Sequence, residues 1–236
     1  MSNNVSDNIK TQLPVPPNWP EDITYLNDLT YSAAVTSEQR TALGRTTTDL
    51  EGHARIAAEQ IATTQSRACI RIISDPKHPA YNQRGLFAAS DLPPDSFILL
   101  YQGHVHTNSL SDTNSKSDYD LSLDRLLDIS VDACSSGNES RFCNDYRGVT
   151  ERPNAEFRDC FIQVPSEKRA GGSKWERRVG IFVLSAGNAG LRKKGVREGE
   201  EVCVSYGKQY WESRKVVAGF RKDAEMLRVA TAALEL

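Results

Sequence analysis

The sequence predicts a mostly β domain of several small sheets with helical additions at both ends. Three observations predict it. Between Ala68 and Gly207 the apolar residues come in short runs, ACIRII, GLFAAS, FILLYQG, YDLSL, LLDISVD, AEFRDCFIQV and VGIFVL. These are rich in β-branched and aromatic residues and mostly alternate, which is the pattern of half-buried strands. The runs are separated by DPKHPAYN, DLPPDS, NSLSDTNSKS and PSEKRAGGSK, and Pro, Gly, Asn, Asp and Ser at that density make turns and loops. Finally, SRKVVAGFRKDAEMLRVATAALEL is amphipathic at helical spacing, with Val216, Val217, Phe220, Met226, Leu227 and Val229 on its apolar side. A helix of that kind covers a sheet.

In chain order, residues 1–20 form a flexible, proline-rich N-terminus, since TQLPVPPNWP holds four prolines and cannot be helix or central strand. Residues 21–67 read as a helical appendage packed on the main body. Within it TSEQRTALGR and DLEGHARIAAEQIATT look helical, with Thr36 and Gln39 as a capping box and Asp49 as a second N-terminal cap. Residues 68–207 are the strand-rich domain, and 208–236 the C-terminal helical segment.

The bulk properties exclude several classes. With 236 residues, 39% of them hydrophobic, the chain can bury a sizeable core. A net charge of −2 gives no global attraction to nucleic acid or to acidic membranes. The longest apolar runs, FILLY and IFVL, are strand-sized, so no membrane association is expected. MSNNVSDNIK lacks the apolar core of a secretory signal. Five cysteines, Cys69, Cys134, Cys143, Cys160 and Cys203, are odd in number and contain no CxC or CxxC pair. They read as reduced thiols of an intracellular protein, nuclear or cytoplasmic, and not as zinc or other metal ligands.

One stretch stands apart: VDACSSGNESRFCNDYRG (Val131–Gly148) is strongly polar yet lies between apolar runs. Taken with its neighbours it resembles the SET-domain protein-lysine methyltransferases. Three ordered blocks carry the resemblance. NQRGLFAASDLPPDSFILLYQG is similar to the family's Gly-x-Gly turn followed by Tyr-x-Gly. DISVDACSSGNESRFCNDYRG with RPNAEF is similar to its "IDA…GN…RFINHSC.PN" segment. VGIFVL and VREGEEVCVSYG are similar to "GIFA…I..GEEL.YDYG". Any one block would be weak; three in order over Ala68–Trp211 are strong.

The resemblance implies a SET-domain β-clip in which the RFCND segment crosses the loop ending in SYG, pseudoknot fashion. It implies S-adenosylmethionine as methyl donor, with S-adenosylhomocysteine as product, and a lysine-containing protein or peptide as acceptor. By the same resemblance Tyr206 is the catalytic tyrosine, and Asn144 a cofactor-binding residue with Arg141 and Phe142 shaping the pocket. Arg84, Gly85 and Leu86 match the backbone-contacting Gly-x-Gly turn, and Asp145 stands at the family's His position. Tyr101, Tyr119, Phe157 and Val204 are candidates for the lysine channel, Tyr101 also for catalysis, and Tyr210 and Trp211 for stacking on adenine. Plainer readings stand beside these: Tyr101 and Tyr119 as core aromatics, Asn144 as a turn residue, Tyr206 as a strand-closing aromatic, and Trp211 as an anchor for the C-terminal helix.

The departures are specific. Gln83 replaces the first Gly of Gly-x-Gly, and Asp145, which can pair with Arg147 or Arg152, only accepts hydrogen bonds when ionised. His104 follows Tyr-x-Gly where an acid is common, and the family's Cys-rich zinc segments are missing. The last point makes 208–236 a post-SET-like segment without zinc. Ser185–Gly195 (SAGNAGLRKKG) is an insertion. That insertion and SEKRAGGSKWERR gather Lys and Arg, either as solvated loop charges or as a patch touching nucleosomal phosphates. Neither Phe157 nor Val204 carries a hydroxyl to restrict transfer to one methyl, so di- or trimethylation is expected. The substrate implied is a histone tail by default, in keeping with a chromatin role, with ribosomal and translation proteins as alternatives. A catalytically silent SET-fold binding module is the competing class.

Overall fold

The computed structural model describes residues 14–45, 50, 52–165, 172–187, 193–208, 210–212 and 214. They fall into two compact units, one ending at Val204 and one beginning at Ser205.

The first unit opens with β1 (Thr24–Tyr25), β2 (Thr30–Tyr31), α1 (Ser37–Ala42), β3 (Gly44–Arg45), β4 (Ala54–Ile56) and α2 (Ala58–Ala62). It continues with β5 (Ala68–Ile72), β6 (Arg84–Ala88), β7 (Phe97–Leu100), β8 (His104–Thr107), β9 (Asp120–Asp124) and β10 (Ile129–Asp132). Last come β11 (Ser136–Gly137), a 3-10 turn (Glu139–Phe142), β12 (Asn144–Asp145), β13 (Ala155–Pro165), β14 (Ser173–Val183) and β15 (Cys203–Val204). The strands make small sheets, as the short alternating runs predict. One has the order β3-β14-β13-β4 with β7 also on β14, another β2-β8-β10-β9, and β5-β6, β1-β11 and β12-β15 form pairs.

The N-terminal segment differs from the helical appendage expected. The capping box at α1 is present, Gln39 N–H donating to the Thr36 hydroxyl and Thr36 N–H to the Gln39 side chain. The second expected helix shrinks to α2, and its Ala-Arg-Ile becomes β4 in parallel register with Cys160–Ile162. Helix propensity loses there to burial: Ile56 enters the core and the His53 ring stacks on Phe161 at 5.4 Å. Asp49 lies outside the described residues. Pro14–Pro20 is packed rather than loose, for the Trp19 ring lies edge-on to Tyr25 at 5.0 Å and to Phe142 at 5.6 Å.

Two further strands escape the sequence pattern. β8 (HVHT) carries a single aliphatic residue, Val105, and is drawn into the sheet by its register with β10. β14 begins at Ser173, so SKWERR is strand and not loop, zipped antiparallel to β13 along eleven residues. Its cations are paired: Lys174 with Glu176 at 3.0 Å, Arg177 with Asp124 at 2.7 Å and Asp159 at 2.5 Å, Arg178 with Glu176 at 2.5 Å and Asp28 at 3.3 Å. These three cations are thus matched within the fold, which is neither the solvated loop nor the phosphate-facing patch that the sequence left open. Residues 166–171 and 188–192 of the two basic segments lie outside the described residues.

Two apolar clusters stand out among the described residues. Leu43, Val105, Leu123, Ile129 and Val131 centre one, with Tyr101 inside it and Tyr119 and Phe157 packed against it. Ile56, Phe97, Leu100, Ile162 and Phe182 form the other. In the second unit Lys208, Tyr210–Glu212 and Arg214 have helical backbone. The remainder of the helix expected at 215–236 lies outside the described residues.

Candidate active site

The polar stretch is buried by being used. Asn138, 7% exposed, donates to the Leu100 carbonyl at 3.0 Å and accepts from Gln102 N–H at 3.3 Å and from the Ser140 hydroxyl at 2.6 Å. It thus ties the end of β7 to the 3-10 turn carrying Arg141 and Phe142. Arg141 is buried too, donating from Nε to the Ala133 carbonyl at 2.8 Å and from Nη2 to Cys134 at 3.1 Å. Its guanidinium lies over the Tyr119 ring at 4.3 Å and the Phe142 ring at 4.9 Å. Arg141 is therefore a brace within the crossing, and Phe142 fills space against Trp19.

Past this turn, β12 runs parallel to β15, with Asn144 opposite Cys203 and Asp145 opposite Val204. Tyr146 N–H donates to the Val204 carbonyl at 2.9 Å. Asn154 holds the same strand, donating to the Glu201 carbonyl at 2.7 Å and accepting from Cys203 N–H at 2.8 Å. Two segments some sixty residues apart thus lie side by side. Burial keeps the thiols in this crossing protonated, that of Cys203 pushed up to about 12 with Glu201 and Asp145 adding to the effect.

Asn144 faces the Gly-x-Gly-like turn. Its amide donates to Glu201 Oε1 at 2.8 Å and to the Arg84 carbonyl at 3.4 Å. The other Glu201 oxygen meets His78 Nε2 at 2.9 Å, and His78 Nδ1 accepts from Ala80 N–H at 3.0 Å. Gly85 makes this possible, because a Cβ there would stand 2.9 Å from Glu201 Oε1. Arg84 turns its side chain away, Nε donating to the Asn18 carbonyl at 2.6 Å, while Leu86 is fully buried and accepts from Val202 N–H at 2.8 Å. Asp145 takes Arg147 as its partner, both oxygens lying within 3.1 Å of Nη1. Of the two arginines expected, the nearer in sequence is the one used.

The channel candidates form an aromatic group. Tyr101, 5% exposed, donates its hydroxyl to the Tyr119 carbonyl at 2.7 Å and sets its ring edge-on to Phe157 at 5.7 Å. Burial pushes its phenol far above the ordinary range, so it remains a neutral donor. Gly103 closes the Tyr-x-Gly turn where a Cβ would sit 2.5 Å from the Asp132 carbonyl oxygen, leaving room for glycine alone. Val204 is fully buried. Tyr206 belongs to the second unit, where its ring meets Tyr210 edge-on at 4.9 Å and Tyr210 meets Trp211 at 5.3 Å.

The sequence pattern of the SET domain matches residues 83–207, more than half of the chain. The chain belongs to the SET-domain family. The match opens at Gln83 and closes at Gly207, taking in the turn, the crossing and the SYG loop of this SET domain. Solved structures similar to it include ctPRC2 in an autoinhibited conformation bound to S-adenosylmethionine, at 20% identity and a TM-score of 0.42 over 66% of this chain and 17% of that one. Another is Chaetomium thermophilum Polycomb Repressive Complex 2 bound to GSK126, at 20% identity and a TM-score of 0.40 over 64% of this chain and 17% of that one. The chain thus spans about a sixth of the length of these relatives. No curated protein matches it.

Sequence reasoning passed over Glu201, His78, Trp19, Asn138 and Asn154 as members of the SET-domain site. The two asparagines lie inside the quoted GN and PN elements and Glu201 inside GEE, so their positions were marked though their roles were not. His78 and Trp19 stand in turn-rich segments with no pattern to single them out.

Proposed function

We propose that this SET-type chain is an S-adenosylmethionine-dependent protein-lysine N-methyltransferase acting on a protein tail, with histones the first substrates to try. The observation that carries the reading is the parallel register of Asn144–Asp145 with Cys203–Val204, from which the chain runs directly into Tyr206. Asn144, the Arg84 carbonyl and the Glu201 carboxylate form a cluster rich in acceptors, a set suited to the ammonium of an amino-acid ligand. The residues present therefore fit S-adenosylmethionine, held by Asn144 with the Arg84–Leu86 turn. When bound, that molecule supplies a methyl group on a sulfonium whose charge disappears on transfer.

The chain's own contribution is position and a dry channel. A lysine with an ordinary pKa near 10.4 is neutral in only about one molecule in a thousand at physiological pH. Tyr101, Tyr119, Phe157 and Val204 would offer it rings and methyls, surroundings that disfavour the ammonium form and free the amine to attack. The Tyr101 hydroxyl is spent on the Tyr119 carbonyl, which fixes that wall. Tyr206 is assigned the phenol that steers the methyl, and alignment of this kind can be worth several kcal/mol, about 7–11 in ideal intramolecular cases. Trp211 and Tyr210 are assigned to the adenine side.

Transfer of labelled methyl from S-adenosylmethionine to histones or a cell-extract protein mixture tests the reading. Product should vanish with Tyr206→Phe and Asn144→Ala while the variants stay folded. One observation favours a second reading, a silent binding module: the Asp145 carboxylate is committed to Arg147 where relatives carry a His. Calorimetry separates the two readings, since a silent module gives no heat with S-adenosylmethionine.

A further inference from the structure

The first unit contains a cleft of about 450 Å³ that shares no residue with the proposed transfer site. It lies between the N-terminal segment and the far end of the β13–β14 hairpin, with Tyr31, Gln102, Val164 and Lys174 among its walls. Two of its polar side chains are almost wholly buried, Gln102 at 3% and Arg178 at 2% exposed. Gln102 Oε1 and Arg178 Nε have no hydrogen-bond partner among the described residues. Elsewhere in this region such groups are matched: the Arg178 Nη atoms serve Glu176 and Asp28, and Gln102 N–H serves Asn138. Buried polar atoms are rarely left unmatched, so an orphan acceptor and an orphan donor on two residues that line one cleft point to a complement there. The complement is a group presenting an N–H and a C=O together, which is the edge of an amide.

Two further features narrow the ligand. β4 covers β13 only across Cys160–Ile162, so Gln163–Pro165, which also line the cleft, have no strand neighbour on that side among the described residues. A bare strand edge receives extended peptide. The charges at the cleft do not balance either. Glu176 and Asp28 are taken up by Arg178 and Lys174, whereas exposed Arg40 lies over the Tyr31 ring at 4.5 Å with no carboxylate partner among the described residues. We propose that this cleft is a second binding site, taking an extended acidic peptide segment of another protein through its backbone amides and one carboxylate.

The proposal does not depend on methyl transfer, and its test is binding to the full chain. In 15N-labelled protein the Arg178 Nε–H and Gln102 side-chain amide signals report the cleft directly. Two capped octapeptide pools, alike except for Glu or Lys at one central position, serve as probes. The Glu pool should move both signals saturably below ~1 mM, and the Lys pool should bind about tenfold more weakly. Arg40→Gln, an exposed change that leaves the core alone, should bring the Glu pool down to the level of the Lys pool. Gln102→Leu should abolish the Arg178 response. Silence of both signals with both pools at ~1 mM, or an equal response to both that Arg40→Gln leaves unchanged, overturns the proposal.

Discussion

Glu201→Gln looks conservative and should not be. The carboxylate receives two donors, Asn144 Nδ2 on one oxygen and His78 Nε2 on the other, at 2.8 and 2.9 Å. The His78 tautomer is fixed because its Nδ1 accepts from Ala80 N–H, so Nε2 must carry the proton. A glutamine has a single acceptor oxygen, and whichever way it turns, its NH₂ confronts another donor. One hydrogen bond to a charged group disappears and a nearly buried donor loses its acceptor, a cost of about 1.5–3 kcal/mol. In a domain of this size that lowers Tm by roughly 3–12 °C. Equilibrium denaturation followed by tryptophan fluorescence reads the loss. On a His78→Ala background the NH₂ meets no opposing donor, so the same change should cost at least about 1 kcal/mol less. If the proposed cofactor role of Asn144 holds, Glu201→Gln should also weaken S-adenosylmethionine binding about tenfold by calorimetry. A cost within ~0.5 kcal/mol of zero, or one equal on both backgrounds, refutes the reasoning.

Other expectations follow from the same geometry. Glu139 is buried, and burial raises its carboxyl above the usual range, its own backbone and the Tyr25 hydroxyl opposing less strongly. The folded state therefore binds this proton more tightly than the unfolded chain, and the site gains stability as pH falls through the folded pKa. Glu139→Gln should then be stabilising at pH 7 and lose that advantage in acid, read as a pH series of denaturation midpoints. Gly103→Ala drives a Cβ to 2.5 Å from Asp132 O and 2.8 Å from Asp132 C, both backbone atoms. It should cost ~1–3 kcal/mol or more in the same denaturation assay. On the methyltransferase reading, mass spectrometry under excess cofactor should show di- or trimethyl product from the wild type, and Phe157→Tyr should shift it toward monomethyl. Monomethyl alone from both would remove the steric argument.

The strands of the domain were legible wherever a short run rich in apolar residues decided burial. FILL and ISVD sit inside the sheets because each presents aliphatic side chains to the core. β8 and the first half of β14 were not legible, since His, Thr, Lys and Arg become strand residues there only by pairing with partners distant in sequence. Arg178 illustrates the difficulty: in the sequence it is one more cation of a basic loop, yet folded it is buried and answered by Glu176 and Asp28. β4 failed for the opposite reason, a good local helix pattern overruled by a strand edge a hundred residues away. At the candidate site the asparagines could be marked by motif position. Glu201 and His78 needed coordinates, because their importance lies in which donors converge on one carboxylate.

That convergence explains why a polar segment can sit at the centre of this fold. Two loops lying side by side cannot satisfy each other by ladder pairing beyond the two residue pairs of β12 and β15. Several of the remaining backbone groups are met by side chains, and Asn, with a donor and an acceptor on one short arm, suits the task. Asn138 does this at the end of β7 and Asn154 at β15, each bonding both a carbonyl and an N–H. Asn144 is placed between them in sequence but gives its donor to a carboxylate and a turn carbonyl instead. Its bonds are thus of a kind that a ligand can share or replace without unfastening the crossing. The same residue type serves as clamp at two positions and, on the proposed reading, as ligand contact at the third, and what distinguishes them is that only Asn144 gives its amide to a carboxylate.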